Sequence, residues 1–287
     1  MNTKRLIALM AIFLCGFIFS TLRTPGYGAE KINFAVIFLG GPDTGVEGDK
    51  IINQFMTSLA KLTSMKKDSL QGKYFNNIND AKTYIRENKN SYIMGSIGFY
   101  LANKKSMDLV PLAAVKIDND DREQYVLIVK KGSYKSLKQL KGKVLAGNVL
   151  YEDVKFINKL IFENKIDIAK HFQLKPSNRP LSAVRKLTSG QVDAVLLNNM
   201  QYASLKSLDV FSKIEVLYQS PQMPALGLMM ANTKTNNAVK EKIVNAVTRM
   251  CNQADTKEAC KNFGIDGFNK LEAGTLKDEI TKYEGGK

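Results

Sequence analysis

Residues 117–124 read IDNDDREQ, a polar, acidic stretch set between two apolar segments. Before it, residues 109–116 carry the signals of a buried strand. After it, residues 124–130 run through Tyr-Val-Leu-Ile-Val, nearly all β-formers. A second interruption, residues 217–226 (LYQSPQMPAL), holds two prolines and again separates strand-like segments. If both are crossings, residues 121–220 form one lobe inserted into another, itself built from residues 30–120 and 221–287. Two crossings make a hinge, and a hinge between two lobes makes a cleft.

The flanking sequence alternates strand and helix signals. Strands are expected at 32–39, 70–75, 92–94, 143–146, 172–174 and 192–197. Helices are expected at 49–65, 78–88, 136–140, 151–164, 181–189 and 237–250. This rhythm predicts an α/β fold with parallel-rich sheets flanked by helices on both faces. A short internal repeat fits two lobes: Asn90 to Ser96 leads to Tyr100 as Gln191 to Asn198 leads to Tyr202. Each unit is an apolar strand with small or polar groups at its end, followed by a helix start. Ligands of open α/β sheets meet such strand ends and helix starts.

Composition narrows the chemistry. The 287 residues include one histidine (His171), three cysteines and no tryptophan, with 44% apolar and 24% charged residues. Without His171 no Ser-His-Asp or Cys-His set can form, and no Cys-x-x-Cys marks a zinc or iron–sulfur module. The acids Asp43, Glu47 and Asp49 lack the spacing of an EF-hand loop, so no metal is predicted and no cofactor is implied. No catalytic constellation is visible, and binding is the expected activity.

Lys4 and Arg5 precede an apolar run from Leu6 to Phe19, shorter than the ~20 residues of a membrane span. With Gly26, Gly28 and Ala29 following, residues 1–29 read as a secretory signal peptide cleaved after Gly28 or Ala29. Bulky Phe13 and Leu14 before Cys15 argue against lipidation. The remaining 39 basic and 27 acidic residues leave a charge of +12, mostly dispersed lysine. Such dispersion is a solvated surface rather than the focused Arg-aromatic patch of a nucleic-acid binder, and no nucleic acid is expected as partner. Cys251 and Cys260 remain after export. On one helix they would lie ~13.5 Å apart, too far to bond. Residues 252–256 break that helix, and Asp255 with Glu258 suggests a capping box for a new one. A Cys251–Cys260 disulfide across the corner is expected.

Four stretches carry a resemblance. Residues 124–129 (QYVLIV) lead through 136–144 (SLKQLKGKV), followed by 187–194 (LTSGQVDA) and 218–224 (YQSPQMP). In this order they resemble the type II periplasmic solute-binding proteins, nearest the phosphate/phosphonate-binding family of ABC importers. The resemblance implies a two-lobed periplasmic-binding-protein fold and no enzymatic activity. It also implies a monomer that captures a small anionic or polar ligand and presents it to an ABC permease. Pro42-Asp43, with Thr44 beside it, matches the family's first-lobe strand end, and Gly95, Ser96 and Tyr100 match its Gly-x-x-x-Tyr helix start. Where the family has Ser-Thr-Ser-Gly for phosphonate oxygens, this chain has Gly147-Asn148-Val149-Leu150-Tyr151.

The expected ligand residues are therefore Asp43, Thr44, Ser96, Tyr100, Tyr125, Asn148, Tyr151 and Asn198. An anion would be received by the backbone N–H groups at Asn148 to Tyr151. Phosphate, phosphite and small alkylphosphonates should bind weakly without the hydroxyl cluster. Tyr100 and Tyr202 also read as packed helix residues, and Asp193 and His171 as structural ones. The rival function is a binding module without a permease, a periplasmic sensor or accessory protein acting through a protein partner. Bulky Leu150 and Tyr151 filling the cleft would favour that rival.

Overall fold

Strand β1 (Ile32–Ile37) alternates its side chains between two cores: Phe34 and Val36 face one, Ala35 and Ile37 the other. A strand buried on both faces is largely apolar, as here, where Asn33 is the one polar residue. The computed structural model describes residues 31–39, 46–88, 91–231 and 236–285. The signal-peptide reading therefore lies outside the described residues.

In chain order the further strands are β2 (Leu70–Phe75), β3 (Tyr92–Met94), β4 (Leu109–Lys116), β5 (Arg122–Glu123), β6 (Tyr125–Lys130), β7 (Val144–Gly147), β8 (Gln173–Pro176), β9 (Ala194–Asn198), β10 (Ile214–Gln219), β11 (Met223–Pro224), β12 (Leu226–Ala231) and β13 (Gly267–Lys270). They form a six-stranded sheet, β13-β4-β12-β3-β1-β2, and a five-stranded sheet, β10-β6-β9-β7-β8. The first draws its strands from both ends of the chain and the second only from its middle. Between them lies the antiparallel ribbon β5–β11, pairing Glu123 with Met223 and Arg122 with Pro224. Both polar interruptions of the sequence meet in this ribbon, and both sheets belong to one compact unit, Lys31–Lys287.

Parallel pairing is confined to β1 with β2 and β3, and β7 with β8 and β9. Helical crossovers return the chain in the same direction there. Strands that leave or re-enter through the crossings run against their neighbours: β12 is antiparallel to β3 and β4, and β6 to β9 and β10. The sheets are thus mixed.

Three buried clusters fill the layers. One packs Ile52, Phe55 and Leu59 of helix Val46–Thr63 and Ile243 and Val247 of helix Asn237–Met250 onto the first sheet. Another covers the outer face of the second sheet with Ala183, Val184 and Leu187. The third is shared, joining Ile37, Ile93 and Met229 of the first sheet to Leu127, Leu145 and Leu196 of the second.

Two local expectations fail. The helix expected at 151–164 is a 3-10 turn (Asn148–Tyr151), an α turn (Val154–Phe156) and a π turn (Ile157–Ile161). Asp153 interrupts it because its carboxylate accepts the Phe156 N–H at 2.9 Å and starts a new helix. The Asp255–Glu258 capping box does not form either: Asp255 pairs with Lys61, and buried Thr256 is the N-cap. The Thr256 hydroxyl donates to the Met250 carbonyl at 2.6 Å, which closes the corner by another route. Cys251 and Cys260 are disulfide-bonded across it, with Cα atoms 5.5 Å apart. Closing so short a loop should stabilise the fold by about 2–3 kcal/mol. Replacing both cysteines with serine is expected to remove that amount in urea unfolding; an unchanged midpoint would contradict it.

Candidate functional site

A cavity of about 510 Å³ opens between the strand ends of the two sheets and beneath the ribbon. That volume suits a small organic molecule. The first sheet and the helix start beyond it supply Ile37, Met94 and Ser96; the second supplies Tyr125, Asn148 and Asn198. Most of the remaining wall is aliphatic or aromatic. Among the described residues the charged groups lining it are Arg122, Glu123 and Glu152.

The polar groups are held by backbone geometry. Ser96 caps helix Ile97–Asn103, its Oγ accepting the Phe99 N–H at 3.0 Å, which leaves its hydroxyl hydrogen to reach Glu152. Asn198 caps helix Asn199–Leu205 in a capping box with Gln201; its Oδ1 accepts the Gln201 N–H at 2.9 Å. The asparagine's NH2 group is thereby turned toward Glu123. Glu123 and Tyr125 stand two residues apart on one side of the extended chain, and the phenol donates to the carboxyl.

Burial dominates the electrostatics. It pushes the Glu123 carboxyl up to about 7, with the Tyr125 and Asn198 hydrogen bonds pulling back. It pushes Glu152 up to about 7 as well; the Ser96 hydroxyl opposes the rise and the charges of Glu123 and Asp153 add to it. Tyr125 is raised well above the usual phenol range by burial and by both carboxyls. Both glutamates keep some accessible surface, but they line the cavity and are otherwise enclosed by protein. Of the residues lining the cavity, two have a buried acceptor without a donor: Glu152 Oε2 and Asn148 Oδ1.

The enclosure depends on a close approach. A Cβ on Gly98 would lie 2.5 Å from Glu152 Oε2 and 2.8 Å from Phe156 Cδ1. Nearby, Tyr283 of the C-terminal helix Lys277–Glu284 donates to Asp153 Oδ1 at 3.0 Å, and the Lys155 ammonium sits 4.4 Å from the Tyr283 ring centre.

Of the residues singled out from sequence, Ser96, Tyr125, Asn148 and Asn198 converge on the cavity. Tyr100 does not: it is only 4% exposed, packed into the shared core. Tyr151 is 42% exposed and off the cavity, because the one-turn 3-10 segment points it outward. Asp43 and Thr44 lie outside the described residues. The segment Asn148–Tyr151, expected to receive an anion, does not start a long helix. It is a single turn, and the next helix start is already capped by Asp153. Asp193 accepts from Tyr134 at 2.6 Å and from the Val144 N–H at 2.9 Å, a structural role. His171 contacts the Leu137 carbonyl, and Tyr202 packs on Phe211. Glu123 and Glu152 were missed; their only sequence signals were a carboxylate inside the first crossing and another four residues after Asn148.

A family model described as ABC transporter, phosphonate, periplasmic substrate-binding protein matches residues 48–275. The chain belongs to this family. Members are substrate-binding proteins, not enzymes. By sequence, no curated protein matches the chain. Among solved structures, a Xanthomonas citri protein bound to chloride ion is similar with TM-score 0.71 at 12% identity, over 90% of this chain and 98% of that one. A binding protein component of an ABC phosphonate transporter from Pseudomonas aeruginosa gives 0.67 at 14%, over 89% and 86%. PhnD1 from Prochlorococcus marinus in complex with methylphosphonate gives 0.65 at 17%, over 89% and 98%. At these identities the likeness is one of fold. Among the described residues no helix is long and apolar enough to cross a membrane.

Two outcomes follow from the site. A carboxyl raised in the folded state binds protons that the unfolded chain has released, so stability should fall as pH rises from about 4.5 to 7 and then level off. Glu152→Gln should flatten this slope and stabilise the unliganded protein above pH 7 by about 1–3 kcal/mol, read by urea unfolding at several pH values. Equal slopes in both proteins would contradict the assignment. Gly98→Ala should displace the Glu152 carboxyl and the Phe156 ring and lower stability by about 1–3 kcal/mol in urea unfolding. An unchanged midpoint would show that the contact is not tight.

Proposed function

We propose that this protein is exported by residues 1–29 and captures a small polar solute in the cleft between residues 30–120 with 221–287 and residues 121–220. It then delivers that solute to the permease of an ABC importer. The carrying observation is the 510 Å³ cavity, walled by both sheets and spanned by a two-strand ribbon. Burying most of a ligand between two walls couples binding to closure, which is what a permease can read.

The ribbon suits a hinge. Its two strands are cross-linked by the Ala225 N–H to the Asp121 carbonyl at 2.8 Å, and Gln124 Nε2 donates to the Ser220 carbonyl at 2.8 Å. Bending is thereby confined to a few residues at each crossing. Leu150 is buried in the shared core and Tyr151 faces away, so neither fills the cleft. This supports solute capture over the accessory role.

Mass spectrometry under native conditions on gently purified protein should find one bound small molecule. Its removal should enlarge the particle in small-angle scattering, and its return should shrink it. Protein that carries no ligand and keeps one size throughout would sink the transport reading. N-terminal sequencing of periplasmic material should begin at Ala29 or Glu30.

A further inference from the structure

We propose that the cleft takes a small amphiphile: a hydrocarbon or aromatic body of several carbons lying against apolar side chains on both sides of the cavity, with one end that accepts hydrogen bonds. The proposal rests on the solute-binding reading and names the class of solute.

Much of the apolar wall is not finished core. Phe38, just past β1, lines the cavity and is 44% exposed, although its backbone is fixed by the Phe38 N–H donating to the Phe75 carbonyl at 2.9 Å. Ile51 of helix Val46–Thr63, Ile117 just past β4, and Phe263 beyond helix Lys257–Asn262 line the same space and are only half-buried. Phe263 is held edge-on to the buried Phe55 ring, with centres 5.4 Å apart, so its remaining surface keeps one direction. From the other side comes half-buried Met200, in the first turn of helix Asn199–Leu205. Its Sδ lies 4.0 Å from where a Cβ on Gly264 would stand, so it reaches across to the segment that carries Phe263. These side chains come from five segments far apart in sequence, and the fold brings them to one concavity. Apolar surface held open to water in this way is unfavourable until something apolar covers it. A concave patch of it between two sheets suits a small organic body.

The polar end follows from the donors that face the cavity. Asn148 is 7% exposed and its Oδ1 is enclosed, so the amide nitrogen is the atom turned to the cavity. Arg122 lines it too; its Nη2 donates to the Gln222 carbonyl at 3.0 Å, and a guanidinium has further N–H groups to offer. Other polar side chains of the wall already have partners within the protein. Asn198 Oδ1 accepts the Gln201 N–H at 2.9 Å, Asn199 Nδ2 donates to the Arg122 carbonyl at 3.3 Å, and Asn262 Nδ2 to Gln54 Oε1 at 2.7 Å. Amide and guanidinium only donate through nitrogen, so the group they meet must accept: a carbonyl, carboxylate or phosphonyl oxygen. Against the hydrocarbon wall, a solute polar throughout would lose water without replacement partners, whereas a hydrocarbon body gains by leaving water.

The test is isothermal titration of ligand-stripped protein with methylphosphonate and with n-alkylphosphonates, n-alkanoates and 2-alkanones of about four to eight carbons. In at least one series affinity should rise by at least about twofold per added methylene, full burial of a methylene being about fourfold. The three series distinguish the oxygen that the donors prefer. Phe38→Ala and Met200→Ala should each weaken the longest member at least about threefold more than the shortest, because they remove surface that only a long body reaches. Neither side chain is fully buried; if a variant nevertheless fails to fold, the chain-length dependence of the unmodified protein decides. A smaller rise in all three series, or variants that weaken short and long members equally, overturns the proposal. So does a co-purified ligand without a hydrocarbon segment. Tight, closure-inducing methylphosphonate binding with no gain from chain length would overturn it while leaving the solute-binding reading intact. No binding by any probe together with no co-purified ligand would overturn both.

Discussion

The approach of Glu152 and Phe156 to Gly98 is the contact on which the site depends. A side chain at 98 would have to displace both, so this glycine lets the start of helix Ile97–Asn103 lie against the segment that follows Asn148. Phe156 is fully buried there and meets Tyr125 edge-on, with ring centres 5.8 Å apart. The shared core then runs without a break from the first sheet to the second. Burial of this kind contributes roughly 1.5–3 kcal/mol per large apolar side chain. That is enough to offset the unfavourable enclosure of carboxyl groups at the same junction.

From this enclosure the electrostatics follow. Water is the usual partner of a carboxylate, and the junction removes it from Glu152 and Glu123. What replaces it is partial: one serine hydroxyl for Glu152, a phenol and an amide for Glu123. Each carboxyl is thereby pushed up to about 7. The fold is that of phosphonate-binding relatives, whereas the loop after the strand Val144–Gly147 carries Asn148, Val149 and Leu150, and the cavity is lined by Glu123 and Glu152. A family fold fixes where a ligand sits; the loop chemistry fixes which charge it bears.

The architecture was legible in the sequence because its signals are local. Continuous apolar runs such as 125–129 announce burial on both faces, and the polar stretches at 117–124 and 217–226 interrupt them visibly. Ser96 and Asn198 were legible as polar residues at strand ends, where helices begin. Tyr100 and Tyr151 lie off the cavity, which the sequence did not show, because a tyrosine's direction is set by which face of a turn packs, and 3.6-residue and 3-residue turns send it different ways. The capping box at Asp255 did not form because the helix starts one residue later, at Thr256, while Asp255 pairs with the distant Lys61. Glu123 and Glu152 were invisible for a related reason. A glutamate in a charged stretch looks solvated, and only the meeting of two segments 29 residues apart shows that it is enclosed.

The most direct measurement is a carbon-13 NMR titration of the glutamate carboxyl carbons in the unliganded protein, with Glu123→Gln and Glu152→Gln used for assignment. Two resonances should titrate near 7, those of Glu123 and Glu152, and each should shift when the other is replaced. Both carboxyls titrating below about 5, like ordinary exposed glutamates, would contradict the account.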